Sequence, residues 1–409
     1  MESKLLIELV ERHGTPLYVY DGDLIHARCR EFRQAFECFP VKVKCCYAVK
    51  ANSNLAVLRL IRGEGFGADV VSVGELDAVL KAGFSPGDVM YTSNSKSESD
   101  LKAAVDAGVN ITVGNTTEIG LLKKVGGARI AFRVNPDVDA KTHPKISTSL
   151  RGSKFGLHFE NDIAFNAVKE ALSMGLEVSG IHCHVGSNVK DMSGFKEAAV
   201  KMMEFAARIN KELGVELDFI DLGGGLGVRY NDEEVVSVAE FADAYTDIIT
   251  EALDTLGYAP EVWFEPGRFI VAEAGVLLAR VNSVKETPEK KFVNVDAGFN
   301  DLIRPAMYDA YHNVRIAGKK GSSEVYDIAG NLCESGDILA RGRSLPKAEV
   351  GDIIVIENAG AYGFSMASNY NSMPLPAEVL VRKGKTDLIR EREAIGDMYR
   401  LQKMPEDLK

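Results

Sequence analysis

Over the first two thirds of the chain, apolar runs of about four to seven residues alternate with segments of helical period. Met1-Glu2-Ser3-Lys4-Leu5-Leu6 opens an amphipathic helix, and Thr15–Asp21 reads as a short strand. A helical segment over Asp23–Phe39 stops at Pro40, which cannot continue it. The runs Val43–Lys50, Gly67–Ser72, Val89–Ser93, Ile111–Gly114, Ile130–Asn135, Val178–Gly186, Phe219–Gly225 and Val262–Arg268 then predict eight buried strands. Most of the intervening segments are helical in period, as in Lys196–Leu213 and Ala239–Leu256. Eight β–α units over about 230 residues predict a (β/α)8 TIM-type barrel, a fold of about 250 residues. A doubly wound open sheet is the competing arrangement, because periodicity alone does not separate the two.

Past Arg268 helical periodicity fades and strand-like runs dominate: Val276–Val284, Phe292–Val295, Val314–Ala317, Val325–Ala329, Ile353–Glu357 and Ala377–Arg382, with Gly318–Ser323 as a hairpin tip. The expected organisation is an α/β barrel over 26–269 and a mainly antiparallel, β-barrel-like domain over 270–409. One further feature is a polar, aperiodic loop from Asp137 to Lys154 that carries Lys141, His143, Lys145, Ser147, Thr148, Ser149 and Arg151. Its length, and its place after the fifth strand, favour a functional role.

Composition narrows the partners. The chain has 409 residues, 46% of them hydrophobic, and a net charge of −11 from 48 basic and 59 acidic side chains. That balance argues against nucleic acid and anionic membrane as partners. Six cysteines at 29, 38, 45, 46, 183 and 333 show no metal-ligand or disulfide-scaffold spacing. No stretch is long and apolar enough for a membrane span, and the N-terminus does not read as a signal peptide. A cytoplasmic protein is expected.

Candidate chemistry collects where predicted strands end, the edge at which parallel α/β proteins bind ligands. Lys50 closes the first run within Tyr47-Ala48-Val49-Lys50-Ala51-Asn52. It is either a lysine reaching solvent or a partly desolvated amine able to attack a carbonyl. His182-Cys183-His184-Val185-Gly186-Ser187 ends the sixth run. Its two histidines share a strand face, as a metal pair does, but the other histidines form no second cluster. A core histidine, or an imidazole stacked on a flat cofactor, are the alternatives. Gly223-Gly224-Gly225-Leu226-Gly227 is a tight turn or an anion cradle, and lacks the Gly-Lys-Ser/Thr of a nucleotide loop. Glu265-Pro266-Gly267-Arg268 is a salt-bridged turn, or a carboxylate and guanidinium for a heterocyclic nitrogen and an anion. An amine, an imidazole, a phosphate cradle and a carboxylate together are the handles for pyridoxal 5'-phosphate.

In this order these motifs resemble the barrel-type pyridoxal-phosphate decarboxylases, the ornithine/diaminopimelate decarboxylase family, over nearly the whole chain. The resemblance implies a barrel followed by a β domain that residues 1–25 join, in a homodimer with shared active sites. It implies Lys50 as the lysine that anchors the cofactor, Asp69 beside it, His184 on the ring face and Glu265 at the ring nitrogen. Ser187 and Gly223, Gly224 and Gly225 would take the phosphate, with Pro266, Gly267 and Arg268 completing the cofactor site. Arg304-Pro305-Ala306-Met307-Tyr308 looks like the diaminopimelate branch, in which the matching arginine and tyrosine hold the substrate's far end. A guanidinium suits a distal carboxylate and would repel ornithine's amine. Cys333-Glu334 resembles the segment contributed by the partner subunit, with Cys333 as proton donor and Glu334 on the distal amino group. Tyr362 corresponds to a tyrosine near phosphate and substrate, and Arg268 also faces substrate. The expected activity is decarboxylation of meso-2,6-diaminopimelate to L-lysine, the last step of lysine formation, without metal. A sibling decarboxylase acting on carboxynorspermidine, ornithine or arginine, or a silent binding relative, are the alternatives.

Overall fold

The computed structural model describes residues 1–127, 129–138, 149, 152–188, 191–231 and 233–408. The chain divides into two compact units. One holds Ile25–Arg229 and Glu233–Ile270; the other holds Met1–Leu24, Val271–Lys409 and a short piece at Tyr230.

In the first unit eight strands form a ring: β1 (Val43–Ala48), β2 (Gly67–Val70), β3 (Val89–Tyr91), β4 (Asn110–Val113), β5 (Arg129–Asn135), β6 (Glu177–His182), β7 (Phe219–Asp221) and β8 (Glu261–Phe264), and a two-residue strand, Leu157–His158, pairs in parallel with the end of β5. Each pairs in parallel with the next, and β8 returns to β1 through Val262↔Val43, Trp263↔Lys44 and Phe264↔Cys45. The ring is closed, which removes the open sheet as an alternative. The strands end earlier than the apolar runs predict: at Ala48 rather than Lys50, His182 rather than Gly186, Asp221 rather than Gly225, and Phe264 rather than Arg268. Val49, Val185 and Leu222 lie buried beyond these ends, so the apolar signal outlasts the ladder.

Side chains fill the ring, as a packed barrel requires. Cys46, Met90, Ala131, Phe219 and Trp263 form one buried layer, in which Phe219 stacks on Trp263 at 4.0 Å between ring centroids. Gly180 on β6 makes room for that stack, since a Cβ there would lie 2.6 Å from the Phe219 ring. Outside the ring, Phe264 turns to the helical layer and packs on Phe36 and on Tyr245 of the helix Val238–Leu256. That helix begins at a Ser237–Glu240 capping box, which satisfies N–H groups left open at its start.

The second unit is a mainly antiparallel sheet. Its strands run in the order 338–345, 324–329, 291–295, 275–286, 17–21, 377–382, 385–390, with 353–356 on 275–286 and 314–316 on 353–356. Two pairings are parallel, 17–21 with 377–382 and 291–295 with 324–329. The helix Ser3–His13 presents Leu6, Leu9 and Val10 at helical spacing and buries them against Leu17, Val19, Leu278 and Val379. The hairpin expected around Gly318–Ser323 does not form: Val314–Ile316 pairs with Ile353–Ile356, and Glu324–Ala329 pairs with Lys291–Val295 and Ile338–Leu345. Among the described residues no helix is long and apolar enough to cross a membrane.

Candidate active site

The barrel unit gathers its polar side chains at the carboxyl ends of the strands. Lys50 sits in the single turn Val49–Ala51 that follows β1, with 35% of its side chain exposed. Its Nζ lies 2.9 Å from Oδ2 of Asp69, a buried residue of β2. Thr92, just past β3, donates its hydroxyl to the other oxygen of Asp69. The amine is therefore held at a defined point beside solvent by a carboxylate that is itself held.

Past β6 the chain carries His184, and past β7 the glycine loop. Gly224 N–H donates to Nδ1 of His184 over 3.2 Å, which requires an unprotonated nitrogen there. Burial, helped by the Lys50 cation, pulls this imidazole down to about 3, so the ring is neutral. Gly223 and Gly225 have φ of +72° and +129°. A Cβ on Gly223 would lie 2.9 Å from His184 Nδ1, and one on Gly224 would strike the Glu265 carbonyl. The loop threads between the ends of β6 and β8, and only glycine fits. It is not the tight strand-to-helix turn left open above, because residues 222–237 separate β7 from the next helix.

After β8, Glu265 N–H donates to the Gly223 carbonyl over 2.9 Å, and Ala48 N–H donates to the Pro266 carbonyl over 3.1 Å. A Cβ on Gly267 would lie 3.0 Å from that of Ala48. The segment is thus locked across the end of β1. The buried Glu265 carboxylate has Oε1 3.4 Å from His182 Nε2 and Oε2 4.0 Å from His184 Nδ1. Burial raises its proton affinity, but His182 and Lys50 outweigh burial and hold it below the usual carboxylate range. Arg268 opens the short helix Arg268–Val271 and donates to the Ser187 hydroxyl over 3.0 Å.

Lys50, Asp69, His184, Ser187, Gly223–Gly225 and Glu265–Arg268 thus share one strand-end face. Three residues there escaped sequence reasoning. Arg133 on β5 is buried with its guanidinium 4.5 Å from the Phe155 ring. Asp221 ends β7, and Thr92 follows β3. The available signal was a charge within an otherwise apolar run, as in Arg129-Ile-Ala-Phe-Arg133-Val-Asn. Lys141, His143, Lys145, Ser147, Thr148 and Arg151 lie outside the described residues.

The sheet unit carries the other predicted residues in two groups. Arg304 opens the helix Arg304–Tyr308, is buried, and has the rings of Tyr230, Tyr308 and Tyr362 at 5.8, 5.8 and 5.7 Å from its guanidinium carbon. Tyr362 reaches that position with φ of +56°, a backbone rarely adopted by a bulky residue. Cys333 and Glu334 are exposed on a loop whose hub is the buried Asp337. Asp337 accepts from Phe299 N–H at 2.7 Å and Leu332 N–H at 2.8 Å. Asn371 Oδ1 accepts from Cys333 N–H at 3.2 Å, and Tyr370 donates to Glu334 at 2.5 Å.

The barrel set fits pyridoxal phosphate: an amine for its aldehyde, a neutral imidazole for its ring face, and a glycine loop with a hydroxyl and a guanidinium for its phosphate. Glu265 adds a buried carboxylate, the type of group that suits a protonated ring nitrogen. Residues 23–272 match the family described as Pyridoxal-dependent decarboxylase, pyridoxal binding domain. Diaminopimelate decarboxylase of Archaeoglobus fulgidus is 46% identical over 99% of this chain and 97% of its own. The crystal structure of diaminopimelate decarboxylase from M. jannaschii with L-lysine matches at a TM-score of 0.94, with 41% identity over 99% of this chain and 95% of that one. A lysine/ornithine decarboxylase from Vibrio vulnificus, complexed with putrescine, matches at 0.81 with 25% identity over 93% of this chain and 98% of that one. The chain belongs to the pyridoxal-dependent decarboxylases, the family of the ornithine and diaminopimelate decarboxylases.

Proposed function

We infer that this protein removes CO2 from meso-2,6-diaminopimelate to give L-lysine, using pyridoxal phosphate bound in the barrel. The observation that carries the chemistry is the buried Glu265 carboxylate on the same strand-end face as Lys50 and His184, held below the usual carboxylate range by His182 and Lys50. The bound cofactor supplies a ring that accepts the electron pair released as the substrate carboxylate leaves. Glu265 keeps the ring nitrogen protonated, so that the ring draws strongly. His184, neutral, lies against the ring without adding charge, and Lys50 anchors the cofactor with its amine held by Asp69. Arg268 neutralises the phosphate, and Ser187 and the Gly225 amide orient it, on a loop whose path Gly223 and Gly224 set by donating their N–H groups to Asp221 and His184.

Substrate choice falls to the sheet unit. Arg304 suits a distal carboxylate, which a planar guanidinium grips with two parallel hydrogen bonds. Tyr308 and Tyr362 line the same guanidinium, and Tyr362 and Arg268 also serve the substrate end of the cofactor. Cys333 holds the proton delivered to the carbon that loses CO2, and Glu334 takes the distal amino group. Their exposure on the Asp337 loop supports a homodimer in which each subunit lends these residues to the other. The free cysteines support a reducing compartment, the cytoplasm.

The test is a substrate panel. With pyridoxal phosphate present, meso-diaminopimelate is expected to yield CO2 and L-lysine in equal amounts, and ornithine, arginine and carboxynorspermidine to yield none. CO2 from another of these substrates, and not from diaminopimelate, would refute the role of Arg304.

A further inference from the structure

Glu334 is exposed, and an exposed glutamate ordinarily samples several rotamers. Here its carboxylate is held. Tyr370 donates its hydroxyl to Oε1 of Glu334 over 2.5 Å, the length of a charge-assisted O–H···O bond. Accepting this bond, Glu334 pushes the Tyr370 phenol above its ordinary range, so the hydroxyl stays a donor. The bond engages Oε1 and leaves Oε2 for a donor from outside the loop. The reaction described so far makes no use of Tyr370.

The donor is built into the structure that carries Glu334. The Tyr370 ring stacks on Phe299, with 5.5 Å between centroids and 26° between planes. Phe299 N–H donates to Oδ1 of Asp337 over 2.7 Å, and Asp337 N–H donates to the Glu334 carbonyl over 3.0 Å. The contacts therefore close a circuit, from the Glu334 carboxylate through Tyr370, Phe299 and Asp337 back to the Glu334 backbone. Tyr370 also opens the tight turn Tyr370–Ser372, in which Asn371 and Ser372 have φ of +54° and +56°. Two successive left-handed residues other than glycine persist only where their surroundings fix them. Successive residues of this turn serve successive residues of the loop: Asn371 Oδ1 accepts from Cys333 N–H, and Tyr370 reaches Glu334. Ser368 N–H donates to the Asn300 carbonyl over 2.9 Å, which sets the turn in register with the Phe299 segment.

We propose that Tyr370 is a positioning residue that fixes the Glu334 carboxylate in the rotamer that receives the substrate's distal amino group. This rests on the reading of Glu334 given above. A carboxylate already fixed spares the rotamer entropy that binding would otherwise cost. Cys333 is placed separately, by its backbone contact to Asn371 and by Asp337 through Leu332 N–H. Tyr370 therefore bears on substrate binding and not on proton delivery.

The test is steady-state kinetics of the holoenzyme with meso-diaminopimelate. Tyr370→Phe keeps the ring on Phe299 and removes only the hydroxyl. KM should rise about three- to tenfold, the worth of one glutamate side chain left free, with kcat near wild type. Wild-type KM in Tyr370→Phe means that the ring alone matters, as simple packing requires, and overturns the proposal. A fall in kcat at unchanged KM overturns it too, by placing the hydroxyl in the chemistry rather than in binding. Glu334→Ala tells this failure from failure of the Glu334 reading. If Glu334 holds the amino group, Glu334→Ala raises KM, and adding Tyr370→Phe to it should raise KM no further. A further rise of the full size overturns the link between the two residues. Wild-type KM in Glu334→Ala itself would refute the reading of Glu334, and the task given to Tyr370 with it.

Discussion

Asp337→Asn tests whether the loop bearing Cys333 and Glu334 acts as a positioned element. Both carboxylate oxygens of Asp337 are in use, Oδ1 for Phe299 N–H and Oδ2 for Leu332 N–H. An asparagine keeps the shape but offers one acceptor, so one buried N–H must face an NH2 group. Leaving such a donor unsatisfied costs about 1–3 kcal/mol. At 1.4 kcal/mol per tenfold, the ratio of ordered to disordered loop falls by a factor of roughly 5 to 150 if that cost falls on the loop alone. Gly330 N–H and Asp337 N–H close the same loop through backbone contacts to Asp337 and Glu334, which the substitution leaves intact. The loop should therefore loosen rather than unfold. In steady-state assays with meso-diaminopimelate kcat should fall, by no more than that factor, while absorbance of the bound cofactor stays as in the wild type. Hydrogen exchange of residues 330–337 should quicken alongside. Unchanged kcat with unchanged exchange would refute the idea that Asp337 holds Cys333 and Glu334 in place.

Three further predictions follow from single observations. Arg304→Ala should lower kcat/KM for diaminopimelate by at least about thirtyfold, given about 2–5 kcal/mol for removing one partner of a buried charge pair, and leave cofactor affinity unchanged; steady-state kinetics and a cofactor titration separate the two. Gly180→Ala places a Cβ 2.6 Å from the Phe219 ring, so overpacking should cost about 1–3 kcal/mol and lower Tm in a thermal melt. Glu75, pushed up to about 7 chiefly by burial, binds its proton more tightly folded than unfolded. Its contribution is therefore present at low pH and lost as pH rises from about 4.5 to about 7. Glu75→Gln keeps an acceptor for Val71 N–H and should raise Tm at pH 8 while changing it little at pH 4; an equal effect at both would contradict the burial argument.

The barrel was legible because each strand is an apolar run bounded by polar or small residues, and eight such runs are hard to mistake. Strand ends were less so, since Val185 and Leu222 are buried without belonging to a ladder. Two strands of the sheet unit, Ile338–Leu345 and Lys385–Arg390, went unread because much of each faces solvent and no clear alternation survives. The false hairpin at Gly318–Ser323 has a related cause: turn chemistry is local, whereas the partner of Val314–Ile316 lies about forty residues away, at Ile353–Ile356. In the site, residues at motif positions could be named from resemblance. Arg133 and Asp221 could not, because a charge inside a buried strand has no local pattern that reveals what it meets across the ring. The place of Tyr230 beside Arg304 was equally hidden, since Tyr230 falls in the barrel's stretch of sequence but belongs to the other unit.

The central claim is that the strand-end face of the barrel is a pyridoxal-phosphate site built on Lys50. Borohydride reduction of the holoenzyme, followed by peptide mass mapping, reads this directly. The account predicts one modified residue, Lys50, carrying the mass of the reduced cofactor, and no adduct in Lys50→Ala. Modification of a different lysine, or an adduct that persists in Lys50→Ala, would contradict it.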